Sequence, residues 1–267
     1  MIYQLLEWPK WWSTIKISWS RYTAYRLDFF LQIVGPSLVL FFIQYNLWSN
    51  IYSKQTLVNG YTLAQMLEYH LWSMIVILLG QGHMSFDLSN DIRLGRISSY
   101  LVYPFDFWKY HSASFIAFQS LQTMICSITI TLAIAFNLIT IVSTQAICTG
   151  FVYVMAVSLF WFALQFLTGI MAFWLEETWI LRVIAQILTR FLSGALIPLD
   201  FFPLWARDAL SWTPFPLLTF YPIKIFTGQM TPNISMVGML LFWIVILILC
   251  NRWLWRRGMR LYTAAGM

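Results

Sequence analysis

The sequence predicts an all-α integral membrane protein: six transmembrane helices, an N-terminal interfacial helix, and a re-entrant outer hairpin between spans five and six. Three observations predict it. The 267-residue chain is 60% hydrophobic and 10% charged, where a soluble domain carries about 25% charged residues, and its mean hydropathy is +0.70. Uncharged apolar runs recur along it, and about 20 such residues cross a bilayer core. Before the last run stands Ser193–Gln229, SGALIPLDFFPLWARDALSWTPFPLLTFYPIKIFTGQ. Six of the nine prolines fall between Pro198 and Pro232. Proline breaks helices and removes backbone donors, so this stretch cannot cross lipid alone. Its aromatic residues, among them Phe201, Phe202, Trp205, Trp212, Phe215 and Phe220, argue against a solvated loop. A hairpin held against other helices satisfies both constraints.

The elements follow in order. Residues 2–22 place Leu5, Trp8, Trp12, Ile15 and Trp19 on one helical face and Lys10, Lys16, Ser13, Ser20 and Arg21 elsewhere. Pro9 suits a first turn. This is either a helix lying in the membrane interface or a lead-in to the first span. No cleavable signal is expected, because Glu7, Pro9, Lys10 and Lys16 interrupt any apolar core. Span one covers residues 27–48 and contains Pro36. Span two covers 61–81 and contains Glu68 and His70. The one substantial hydrophilic stretch, 84–107, holds Asp87, Asp91, Arg93, Arg96 and Asp106. From Ser112 to Leu175 no Asp, Glu, Lys, Arg or His occurs, which accommodates spans three (112–136) and four (146–174). Span five, 179–197, carries Arg182 and Arg190, and span six covers 234–254. With no repeat and no linker, residues 1–267 read as one membrane domain.

Lys and Arg set orientation. One side collects twelve: Lys10, Lys16, Arg21, Arg26, Arg93, Arg96, Lys109, Arg182, Arg252, Arg256, Arg257 and Arg260. The other collects three, Lys54, Arg207 and Lys224. Both termini and the 84–107 loop are therefore expected in the cytoplasm, with the hairpin at 193–231 on the outer side.

The sequence offers no catalytic set. It lacks GxSxG, HExxH and the phosphate-binding GxxxxGK[ST]. His70, His83 and His111 are not at ligand spacing, and Cys126, Cys148 and Cys250 form no CxxC pair, so no metal site is expected. Within the spans, Arg190 lies eight residues before Pro198 and Glu68 seven residues into span two. Their depths match at about 10–12 Å. They are expected either to pair, with or without a role in transport, or to face a translocation cavity together with His70. In the loop, Asn90–Pro104 is expected to form one short amphipathic helix, with Ile92, Ile97, Leu101 and Val102 inward and Arg93 and Arg96 outward. Gly95 permits close backbone approach. Such a helix is a docking element for a soluble partner or a simple interfacial anchor.

Taken together these segments resemble an ABC-2 type transporter permease of the bacterial six-span kind. The loop resembles that family's charged–hydrophobic–Gly…Leu…Pro segment, here Asp91-Ile92-Arg93-Leu94-Gly95-Arg96 through Tyr100, Leu101 and Pro104. SGALIPLDFFPLW, followed by Trp212-Thr213-Pro214-Phe215, Pro222 and Gly228, is similar to the family's outer run. Trp255-Arg256-Arg257-Gly258-Met259-Arg260-Leu261-Tyr262 is similar to its tail. The resemblance implies the ABC-2 / ABCG-like exporter fold in the bacterial cytoplasmic (inner) membrane. It implies a dimer with a second copy or a sister permease, and a separate ATPase subunit that binds ATP and Mg, this chain holding no cofactor and no nucleic acid. It also implies coupling to the ATPase through residues 91–104, and an outer gate made by Pro198, Phe201, Phe202, Pro203, Trp212, Pro214 and Phe215. The cargo would be an amphipathic or bulky molecule such as a drug, lipid or glycan. An Arg in span five has no counterpart in the family pattern, so the role of Arg190 rests on the residues alone. The rival readings are an ion-coupled carrier or channel using Glu68, His70 and Arg190, an intramembrane enzyme, and a non-transporting anchor for an ATPase complex.

Overall fold

A computed structural model describes residues 8–24, 26–81, 85–102, 106–139 and 143–262. Among them the regular structure is helical, apart from one isolated bridge between Val58 and Tyr61. The helices are α1 (Trp8–Ala24), α2 (Arg26–Tyr52), α3 (Leu63–Gly80), α4 (Ser85–Arg93), α5 (Ile97–Val102), α6 (Phe107–Ala135) and α7 (Thr144–Ile170). Then come α8 (Trp179–Leu192), α9 (Leu204–Ser211), α10 (Phe215–Leu218), α11 (Phe220–Phe226) and α12 (Ile234–Leu261). Short 3₁₀ turns occupy Met171–Phe173 and Leu199–Phe201.

Among the described residues, four helices are long and apolar enough to cross a membrane: α3, α6, α7 with its continuation to Phe173, and α12. Three of the four are capped by a side chain at their start. Thr62 caps α3 in a reciprocal capping box with Gln65. Ser143 accepts from the Ala146 amide at the start of α7, and Asn233 accepts from Met236 at the start of α12.

Helix α7 is the hub, packed against α3, α4, α11 and α12. Polar side chains join the bundle across helices: Asn251 donates to the Ala163 carbonyl at 2.8 Å, Gln122 to Gln81 at 3.1 Å, and Gln119 to Leu79. In hydrocarbon such bonds are worth about 0.6–2 kcal/mol each. Small residues set close approaches. A Cβ on Gly150 would lie 2.7 Å from the Phe226 ring, and one on Gly258 would lie 2.2 Å from Phe173.

Helix α1 runs against α6, with Tyr22 bonded to Ser114 at 3.1 Å and its ring 5.1 Å from Phe118. The tryptophan face read from the sequence points away from the bundle: Trp8, Trp12 and Trp19 are exposed, and Lys16 sits over the Trp12 ring. Leu5 lies outside the described residues.

Two expectations need correction. The fifth apolar segment, expected over 179–197, is helical only from Trp179 to Leu192. Its 14 residues extend about 21 Å, less than the ~30 Å hydrocarbon thickness. The chain turns at Gly194, whose φ of +80° suits glycine alone. The hydrophilic stretch is not one helix at 90–104 but two, α4 and α5. They are separated by a turn at 94–96 in which Gly95 takes φ +68°. Glycine's access to that region is what lets the chain fold back there.

Candidate functional site

At the end carrying the basic tail, α4 and α5 form a hairpin clamped on three sides. Ile92 and Ile97 are fully buried with Leu88, Phe107, Phe166, Ile170 and Phe173. The Tyr262 hydroxyl donates to the Gly95 carbonyl at 2.6 Å and accepts from the Ser98 amide at 3.2 Å. The tail thereby fixes the hairpin's turn. Asp91, 8% exposed, accepts from Tyr100 at 2.8 Å and lies 3.9 Å from His111 and 3.8 Å from Arg96. Arg93 does not point freely outward. It bonds the Glu177 carboxylate at 2.9 Å and the Glu176 carbonyl at 3.2 Å, tying α4 to the link between α7 and α8. What the hairpin presents outward is its tip, Leu94 (56% exposed) and the Arg96 side chain. The Leu101 side chain and Pro104 lie outside the described residues, as does His83.

At the other end of α8, the broken backbone is stitched to neighbouring helices. A backbone that leaves helical geometry at membrane depth must find partners inside the protein. Here the Gly194 carbonyl accepts from Tyr69 at 2.6 Å, Ala195 from Ser73 at 3.1 Å, Leu196 from Gln44 at 3.4 Å, and Ser193 from the Phe220 amide at 3.1 Å. Beside this turn a cavity of about 70 Å³ opens between α2, α3 and the end of α8. Arg190, in the last turn of α8, and His70 both line it. Glu68 lines a different cavity of about 190 Å³, together with Tyr61 and Lys224. Among the cavities lined by described residues, Arg190 and His70 line one and Glu68 another.

The segment at 193–231 is latched by a polar cluster. Asp200 lies 3.0 Å from the Lys224 ammonium and 3.8 Å from Arg207, and it accepts from the Tyr61 hydroxyl. Lys224 also donates to Tyr61 at 2.9 Å and Gln229 at 2.7 Å. Burial alone would raise the Asp200 pKa. Hydrogen bonds from Tyr61 and Lys224, with the charges of Lys224 and Arg207, outweigh it and hold the carboxyl below its usual range. Burial, then the bond to Asp200, raises the Tyr61 phenol. Two of the three basic residues assigned to this side thus converge on one carboxylate.

The expected gate residues divide between core and surface. Pro198 and Pro214 are buried, Phe201, Phe202 and Phe215 half-buried, and Pro203 and Trp212 exposed. Phe201 lies against Trp48 and Tyr61, and Phe202 against Phe191. Helix α11 is inserted between α3 and α7, its Phe226 stacked on Trp72 at 4.6 Å. Helix α9 projects, with Leu204 and Trp205 each 74% exposed.

Sequence reasoning missed Tyr61, Asp200 and Lys224, and also Gln44, Tyr69 and Ser73. The convergence of scarce outer-side charges was the available signal for the first group. Nothing in the sequence marks the second.

A family model described as ABC-2 family transporter protein matches residues 38–266. That range takes in the α4–α5 hairpin, the segment at 193–231 and the basic tail through Arg260. No curated protein matches the sequence.

Proposed function

The chain belongs to the ABC-2 family of transporter proteins, and from that premise we propose that it is the permease subunit of an ATP-driven exporter. A separate ATPase subunit, carrying ATP and Mg, energises it. The cargo is an amphipathic or bulky molecule. The observation that carries the reading is the family match over 38–266 falling on a chain whose α4–α5 hairpin has a buried base and an exposed tip. A tip of that kind suits contact with a soluble subunit, through Leu94 and Arg96. The clamp by Tyr262 and Arg93 suits passing movement from the tip into α7, α8 and α12.

In this reading the chain crosses the inner membrane six times with both termini in the cytoplasm. Helix α2, 27 residues long, and α8 with the stitched turn that follows it join α3, α6, α7 and α12 as the six spans. Residues 193–231 form the re-entrant outer hairpin and gate. A second copy or a sister permease covers the outward face of α8, where Ile180, Ile184, Ile187, Leu188 and Phe191 are all exposed. An ion-coupled carrier using Glu68, His70 and Arg190 is less well supported, because those residues line two cavities.

The test is purification of the tagged full chain from its native membrane in mild detergent. The expected result is a co-purifying P-loop subunit with ATPase activity, lost when Leu94→Glu and Arg96→Glu are combined. A preparation without such a subunit would contradict the reading.

A further inference from the structure

The cavity between α2, α3 and the end of α8 has an unusual charge inventory. Among the described residues that line it, Arg190 is the one permanently charged group and none is Asp or Glu. The Arg190 Nε is buried without a hydrogen-bond partner. The four backbone carbonyls beside it, at 193–196, are each taken by another donor. The partial negative charge at the end of α8, about half an elementary charge, offsets only part of the guanidinium. Across the cavity stands His70, 4% exposed, its ring stacked 6.0 Å from Trp48 and its Nε2 also buried without a partner. The remaining walls are largely apolar, contributed by Pro36, Leu40, Phe41, Met74 and Ile77.

A cation held at membrane depth without a counter-charge is costly, and guanidinium is suited to phosphate and carboxylate. We propose that this cavity binds the anionic headgroup, phosphate or carboxylate, of an amphiphile, with Arg190 as its charge partner and His70 as a second polar contact. A water needs roughly 10–15 Å³ on the same scale, so about 70 Å³ admits a headgroup and not a whole amphiphile. The acyl part then lies along the apolar wall toward α2. The binding site rests on the cavity alone. That its occupant is the exported cargo rests on the permease reading.

The test is titration calorimetry on the purified full chain in neutral detergent, with oleoyl lysophosphatidate, inorganic phosphate and monoolein as probes. Saturable lysophosphatidate binding is expected, weakened at least about tenfold in Arg190→Gln, as loss of a charge-assisted pair implies. The exposed-site control Lys54→Gln is expected to bind like the parent. Met74→Glu, which places a carboxylate in the cavity, is expected to fold and to lose binding as well, so a misfolded Arg190→Gln does not leave the matter open. Equal affinity in parent and Arg190→Gln would overturn the site. Inorganic phosphate or monoolein binding as tightly as lysophosphatidate would overturn the anionic-amphiphile assignment. No ATPase enters this measurement, so its failure is separate from failure of the permease reading, which the co-purification decides.

Discussion

The two ends of the bundle are both fastened by side chains from distant parts of the chain, but with different chemistry. At the end carrying residues 193–231 the latch is a single carboxylate, Asp200, ringed by Lys224, Tyr61 and Arg207, with Asp200 and Lys224 at 25% and 18% side-chain exposure. Below it α11 is wedged between α3 and α7. The α4–α5 hairpin at the other end is held by aromatic and aliphatic packing at its base, by one phenol on a backbone carbonyl, and by an ion pair whose partners are 42% and 55% exposed. Exposed ion pairs contribute about 0–1 kcal/mol, whereas charge-assisted bonds to a partly buried group contribute about 1.5–3 kcal/mol. The difference is that the end at Asp200 is fastened by charge-assisted bonds around a partly buried carboxylate, while the α4–α5 end is fastened by apolar packing at its base, with a neutral bond and an exposed ion pair beside it. It fits the engine contact proposed at the α4–α5 tip and the gate proposed at 193–231.

The largest expected effect comes from breaking the latch. Asp200→Ala strands the Lys224 ammonium, and destabilisation by about 2–3 kcal/mol is expected, below the 3–5 kcal/mol of a fully buried pair. A drop in thermal midpoint of the purified protein checks it. The same carboxyl gives the latch a pH signature. Its pKa lies below its ordinary 3.8, so its contribution is complete above that value and is lost as pH falls through the lowered folded value. A parent protein less stable near pH 3 than at pH 5, with that component absent in Asp200→Ala, is the expected pattern.

Next in size is the wedge. Gly150→Ala drives a methyl against the Phe226 ring, and overpacking of this kind costs about 1–3 kcal/mol. Its midpoint is expected to fall, with the Trp72–Phe226 stack disturbed and read as a shift in tryptophan emission. An unchanged midpoint would mean that α11 is not seated as described.

The sequence made the long apolar helices legible, because their signal is length and local composition. It also located the segments at 84–107 and 193–231 by what they could not be. It did not show where α8 ends. Arg182, Gln186 and Arg190 sit within a run that looks continuous to Ile197, and the stop depends on acceptors at 193–196 meeting Tyr69, Ser73 and Gln44 from other helices. Backbone carbonyls carry no sequence signature. The Asp200 cluster was hidden for a related reason: its members are separated by 139 and 163 positions in the chain. The division of α4 from α5 was readable in part, since Gly95 was noticed for close approach although its positive φ, which splits the helix, was not expected.

Smaller effects probe the inner end. Tyr262→Phe removes one bond to Gly95, worth about 1 kcal/mol, and Arg93→Ala removes an exposed pair worth less than about 1 kcal/mol. Both are expected to leave the thermal midpoint nearly unchanged while lowering ATP-dependent transport in membrane vesicles. If either lowered stability as much as Asp200→Ala, the contrast between the two ends would collapse.

The most direct measurement of that contrast is site-specific photocrosslinking in native membranes, with a photoreactive residue at Leu94 on the inner tip or at Trp205 on the outer helix. The expected result is a P-loop ATPase subunit captured from Leu94 and none from Trp205. No ATPase at Leu94, or one captured from Trp205, would contradict the assignment of engine and gate to opposite ends.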